Sequence, residues 1–124
     1  MELNISEKEF ILPSALVGVK ETLQIADNGT GDCVKETKRK TKDDKSFSQY
    51  EICFKDQYGN EKIAQFLLSQ HLKPLVKELG QQTSAWIGQF VEITGVPEEK
   101  GDKTYYSLNF KSVGVPNWAV EKVE

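Results

Sequence analysis

The chain has 124 residues, of which 38% are hydrophobic, 10% aromatic and 28% charged. This is ordinary globular composition and about one domain's worth of chain. No apolar run approaches the roughly 20 residues that span a bilayer. Sixteen basic residues against nineteen acidic ones give a net charge of −3, which argues against a protein that coats nucleic acid with its whole surface. The N-terminus shows no basic segment followed by an apolar stretch, so no signal peptide is expected. Two cysteines, Cys33 and Cys53, do not make a disulfide framework. These features predict a cytoplasmic protein with free thiols and no membrane association.

Residues 1–14 read as a lead-in that ends at Pro13-Ser14. In 15–25, Val17, Val19, Leu23 and Ile25 share one parity, which predicts a half-buried strand, with Gly18 marking a bulge or bend. Residues 27–32 (DNGTGD) form a turn cluster. Residues 35–45, KETKRKTKDDK, read as a charged loop. They hold six basic residues (Lys35, Lys38, Arg39, Lys40, Lys42, Lys45) and three acidic ones, a local +3 that leaves −6 for the other 113 residues. Such a loop on an acidic body suits an electrostatic footprint; it equally suits a solvated loop.

A second strand is predicted over 46–55, with Tyr50, Ile52 and Phe54 on one face, and a third over 61–68, joined to it by a hairpin turn. Leu72, Leu75, Val76 and Leu79 then follow the 3.6-residue period of a helix. Ser69 is a candidate cap and Pro74 a candidate first residue, with Gly80 as the stop. Trp86 reads as a core plug in a short turn. Two strands follow, over 89–95 and 103–111, separated by a polar turn at 97–103. Residues 112–124 form a C-terminal tail containing Trp118.

Three strands, one helix and two strands predict one domain over residues 1–124. It would be all-β with one helix: a five-stranded OB-type Greek-key barrel with its helix between strands 3 and 4. An open α+β sheet with the helix across one face is the alternative.

Leu79, Gly80, Thr83, Trp86, Ile87 and Gly88 lie within the stretch LVKELGQQTSAWIGQFVEITG (75–95). This stretch resembles a pattern in small single-domain OB-fold-like proteins of phages and archaea. There a helix ends in Gly, a polar pair and Thr follow, and Trp-Ile-Gly-Lys leads into a strand. Gln89 stands in place of that lysine. The resemblance implies an OB-like domain that binds single-stranded nucleic acid, and it identifies no catalytic residue.

Little in the sequence suggests catalysis. His71 is the sole histidine, placed at a helix start where an exposed polar residue is ordinary. Cys33, Cys53 and His71 are too scattered for a zinc site. Asp43-Asp44 and Glu98-Glu99 are loop carboxylates of the solvated kind. No Gly-rich phosphate loop precedes a helix. The expectation is a non-enzyme without cofactors or metal.

Single strands bind where cations track the backbone and aromatic rings stack on bases. In an OB fold that surface is the face of strands 2 and 3 with the 1–2 and 4–5 loops beside it. Lys38, Arg39, Lys40, Lys42 and Lys45 are therefore candidate phosphate contacts in the first loop. Lys103 is one in the second, and Tyr58 and Tyr105 are candidate stacking rings. Tyr50, Phe54 and Phe66 read as core. Phe90 and Tyr105 fall on the parity opposite the core, where Trp118 is available to cover them. The expected partner is single-stranded DNA or RNA. The alternatives are a protein partner, homodimerisation through the Phe90/Tyr105 face, and a regulator whose charged loop orders on contact.

Overall fold

The computed structural model describes residues 9–120. Parts of the predicted lead-in and tail, 1–8 and 121–124, lie outside the described residues. The elements in chain order are β1 (Glu9–Phe10), β2 (Lys20–Ile25), β3 (Val34–Lys40), β4 (Ser46–Lys55), β5 (Glu61–Leu67), α1 (Ser69–Leu79), β6 (Phe90–Lys100), β7 (Lys103–Val113) and a short α2 (Asn117–Val120). Two 3-10 turns, Pro13–Leu16 and Thr83–Trp86, sit between them.

The seven strands of the described residues form one sheet in the order β1-β5-β4-β2-β6-β7, with β3 also paired to β4. Among the described residues β1–β5 is the one parallel strand pair, beside an isolated parallel bridge between Val17 and Gly95. The sheet curls into a half-barrel with α1 packed on β7. Its concave side holds Leu23, Ile25, Ile52, Phe54, Leu75, Trp86, Ile93 and Phe110, all essentially without solvent contact. Phe54 and Phe110 stack at 6.1 Å between ring centres.

The fold is thus mostly β, as the alternation predicts, but several expectations change. Seven strands replace five, and the helix lies between the fifth and sixth, because Glu9–Phe10 and Val34–Lys40 add two strands ahead of it. The stretch 35–45 is not one loop: Val34–Lys40 pairs residue by residue with 52–46 of β4, and only 41–45 turns. Both faces of this hairpin meet water, so its sequence needs no apolar alternation to form a strand. Residues 15–19 are not strand. Pro13 starts a 3-10 turn and Gly18 takes φ +76, a left-handed conformation that glycine adopts without a steric cost.

The helix starts at Ser69 rather than using it as cap. Leu68 precedes it, and its amide donates to His71 Nδ1 (2.9 Å) while the His71 amide donates to the Leu68 carbonyl (2.9 Å). His71 so fills the reciprocal role that glutamate plays in a capping box. The expected turn at 97–103 is also shorter. The β6–β7 ladder runs to Lys100–Lys103, leaving a two-residue turn with Gly101 at φ +64, the positive angle that tight hairpin turns demand.

Lys62 on β5 ties together β1 and β2. Its ammonium meets Glu21 of β2 at 3.3 Å and Glu9 of β1 at 3.5 Å. Burial by itself would lower its pKa, but the two carboxylates outweigh burial and raise it.

Candidate nucleic-acid interface

Strand parity divides the β3–β4 hairpin into two faces. Lys38 and Glu36 stand opposite Ser48 and Tyr50 on the face that continues into the core. Lys35, Thr37 and Arg39 stand opposite Glu51, Gln49 and Phe47 on the outer face. The basic residues are therefore shared between two surfaces, and several are already engaged. The Lys38 ammonium donates to Ser48 Oγ (2.9 Å) and pairs with Glu36 (3.4 Å). The Tyr50 hydroxyl donates to the same Glu36 carboxylate (3.2 Å). Hydrogen bonds from Ser48 first, then Lys38 and Tyr50, hold the Glu36 pKa below its ordinary value. Lys40 pairs with Asp44 at 3.5 Å. Lys42 and Lys45 are exposed in the turn. Arg39 Nε donates to Gln49 Oε1 (3.1 Å), which anchors the guanidinium through one nitrogen and leaves the two terminal nitrogens out of that bond.

Beside Arg39, β5 carries a bulge. Tyr50 pairs with Leu67 and Ile52 with Ala64, so β5 spends one residue more than β4 over this interval. Phe66 takes φ +58 there and the residue is 64% exposed. A left-handed phenylalanine costs about 1 kcal/mol or more. The expectation that Phe66 is core is thereby overturned: the inserted residue breaks the parity that would have turned the ring inward. Tyr50 and Phe54 do pack in or against the core.

Phe66 lies at the junction of two depressions. One is a small polar trough on the outer face, bordered by Thr37, Arg39, Gln49, Glu51 and Gln65. The other is a mainly apolar cleft of about 290 Å³ between β5 and β7, bordered by Phe10, Leu12, Leu67, His71, Tyr106 and Leu108 among others. The cleft exists because no ladder joins β7 to β5 or β1 among the described residues. Tyr106, on the core parity of β7, is 47% exposed there, since the β6–β7 hairpin extends past the body it would otherwise cover.

The other predicted site residues fall elsewhere. Tyr58 is 79% exposed at the β4–β5 turn. There the Asp56 carboxylate accepts the Tyr58 and Asn60 amides, at 2.9 Å each. That turn and the 41–45 turn lie at opposite ends of the ten-residue β4, about 30 Å apart at 3.3 Å per residue. Tyr58 therefore does not share a groove with Lys42 and Lys45. Lys103 and Tyr105 share the face of β7 opposite to Tyr106, with Tyr105 across from Glu98 and Lys103 across from Lys100. The structure does not bring them to the trough. Trp118 packs edge-on against Phe90 at 5.5 Å, and Phe90 is buried, so of the Phe90/Tyr105 pair only Tyr105 is exposed.

Sequence reading missed Phe66, Tyr106 and the amides of Gln49 and Gln65. One signal was present. Phe66-Leu67-Leu68 and Tyr105-Tyr106 are adjacent apolar residues, and a half-buried strand cannot turn neighbours to the same side.

The thiols are placed by the same sheet. Cys33 and Cys53 are both buried, and the Cys53 amide donates to the Cys33 carbonyl (3.0 Å). Burial, reinforced by the Asp32 charge, pushes the Cys33 thiol up to about 12. No group of three or more potential metal ligands occurs among the described residues, and no helix among them is long and apolar enough to cross a membrane. Comparison of the chain with protein-family models, with curated proteins and with solved structures returned no match.

Proposed function

We propose that this chain binds single-stranded DNA or RNA, without catalysis, along the outer face of β3, β4 and β5 and into the neighbouring cleft between β5 and β7. Arg39, Lys42 and Lys45, with Lys35 at the far end of the hairpin, supply the phosphate contacts. Phe66 and Tyr106 supply the stacking surfaces in place of Tyr58 and Tyr105. The observation that carries this reading is Phe66: a strained backbone holds an exposed ring beside an anchored guanidinium and glutamine amides, the combination of π-face and cation that single strands use.

The finer fold assignment belongs to the same proposal. β2 and β3 flank β4 on one side in consecutive register, Ile25 opposite Phe54 and Val34 opposite Ile52. Counted as one interrupted strand, and with the two-residue β1 set aside, they leave three strands, a helix and two strands, the order of an OB-type barrel.

Fluorescence-anisotropy titration of labelled oligothymidylate and oligouridylate tests the reading. With three or four phosphate contacts, log K should fall against log salt with a slope of about −2 to −3, from roughly −0.7 per contact on single strands. Arg39→Ala should shallow that slope. Absence of binding at low salt overturns the proposal. The protein-partner reading is favoured by one observation, the exposed Phe10 and Leu12 at the cleft rim, and it calls for binding that salt barely alters.

A further inference from the structure

We infer that the cleft between the β5 bulge and β7 is a receptor for a single unstacked nucleobase, so that a bound strand inserts one base there while its neighbours lie over the trough. This rests on the function proposed above and adds to it a site separate from the phosphate contacts.

The first argument is continuity. Phe66 borders both depressions. A strand whose phosphates lie near Arg39 therefore meets the Phe66 ring where the trough joins the cleft.

The second is shape. The cleft has about 290 Å³, small among ligand sites and suited to one planar ring system rather than to a helix. The ring contacts among the described residues are Phe54 with Phe110 and Phe90 with Trp118. Phe66 and Tyr106 therefore line a common space while neither stacks on another ring, and both keep large exposed areas. A flat heterocycle gains contact with either ring, and such stacking is tolerant of base identity because every base has a π-face.

The third is the polar edge. Gln65, His71 and Ser107 also border the cleft. His71 Nδ1 is occupied as acceptor of the Leu68 amide. In the neutral ring the proton is then on Nε2, which makes that nitrogen a hydrogen-bond donor. An amide, a hydroxyl and an imidazole N–H around an apolar pocket match a ligand with flat apolar faces and a polar rim. An apolar peptide side chain in the same place would desolvate those three groups without pairing them, which is costly.

The test uses the full chain and two labelled oligomers of equal length, one of thymidylate and one in which every nucleotide is abasic. The native chain should bind the thymidylate oligomer at least ten times more tightly. Tyr106→Ala should weaken thymidylate binding about 5- to 100-fold, the range that loss of one stacked base gives, and leave abasic binding unchanged. Tyr58→Ala should alter neither. Equal affinity of the native chain for both oligomers overturns the base receptor together with the stacking on Phe66 and leaves only the phosphate contacts standing; an equal loss on both in Tyr106→Ala overturns the receptor. Binding to neither overturns the proposed function and this inference together. Tyr106→Leu keeps apolar volume without the ring and should show the same selective loss on thymidylate, so it decides the matter where Tyr106→Ala fails to fold; no selective loss in it overturns the receptor.

Discussion

The Trp86 indole N–H donates to the Gly80 carbonyl at 2.9 Å, from a ring with no solvent exposure. One bond thus closes the loop between the end of α1 and the 3-10 turn before β6. Gly80, at φ +91, ends the helix by donating its own amide to Val76 and so turns its carbonyl toward the indole. Trp86→Ala should cost about 3–5 kcal/mol, as for other buried aromatics. Trp86→Phe should cost about 1–2 kcal/mol, since it keeps most of the ring volume and loses the bond. Urea unfolding of the two variants reads the difference.

Gly95 is fixed by space rather than by backbone angle. A β-carbon there would run into the Pro13 carbonyl oxygen and approach the Leu16 backbone at 3.1 Å. Gly95→Ala should therefore push the Pro13–Leu16 turn off β6, at about 1–3 kcal/mol for overpacking. At about 4 °C per kcal/mol for a chain of this size, calorimetry should show Tm falling by roughly 4–12 °C.

Asp32 ties the start of β3 to the Trp86 turn. Its Oδ1 accepts the Thr83 hydroxyl (2.7 Å) and the Cys33 amide (2.7 Å). Burial would raise its pKa, but the bonds from Thr83, Val34 and Cys33 outweigh it and lower it. A carboxylate with a depressed folded-state pKa stabilises the fold above its unfolded value, about 3.9. That contribution disappears as pH falls below this value through the folded-state pKa. Asp32→Asn should cost about 1–2 kcal/mol at pH 7 and flatten the acid limb of the stability curve below about pH 4. Denaturant titrations from pH 2 to 7 measure both.

Phe66 gives an inverted glycine effect. In an ordinary strand glycine is less stable than alanine by about 0.5–1 kcal/mol. At φ +58 the order should reverse, with Phe66→Gly more stable than Phe66→Ala by up to about 1 kcal/mol. Both variants should bind oligothymidylate equally weakly, because both lack the ring. Paired melting and anisotropy measurements on the two variants separate strain from stacking.

Cys33 should be inert in the native state. Its buried thiol donates to the Thr83 carbonyl at 3.1 Å, and with a pKa of about 12 almost no thiolate forms near neutrality. Iodoacetamide at pH 8 should leave the Cys33 peptide unmodified until denaturant is added, as read by mass spectrometry.

Strand alternation in 46–55, the apolar run that closes 61–68, the helical stripe at Leu72, Leu75, Val76 and Leu79, and the Gly80 stop were legible because each element has a face in the core. That face imposes a period on the residues. The same rule made β3 invisible. Its partner β4 supplies the ladder, and with water on both sides Lys35 to Lys40 carry no apolar pattern. The outer end of β6, at Glu98–Lys100, was hidden in the same way.

By itself the sequence determined a mostly β chain with one amphipathic helix, a buried Trp86 and a cationic segment before β4. Local periodicity and turn chemistry are sufficient for those features. Only the tertiary structure decided which rings face water. A single extra residue in β5 inverts the parity of Phe66, and the missing ladder between β5 and β7 uncovers Tyr106. Both depend on pairings between strands distant in the chain, and no local pattern encodes the register of such pairs.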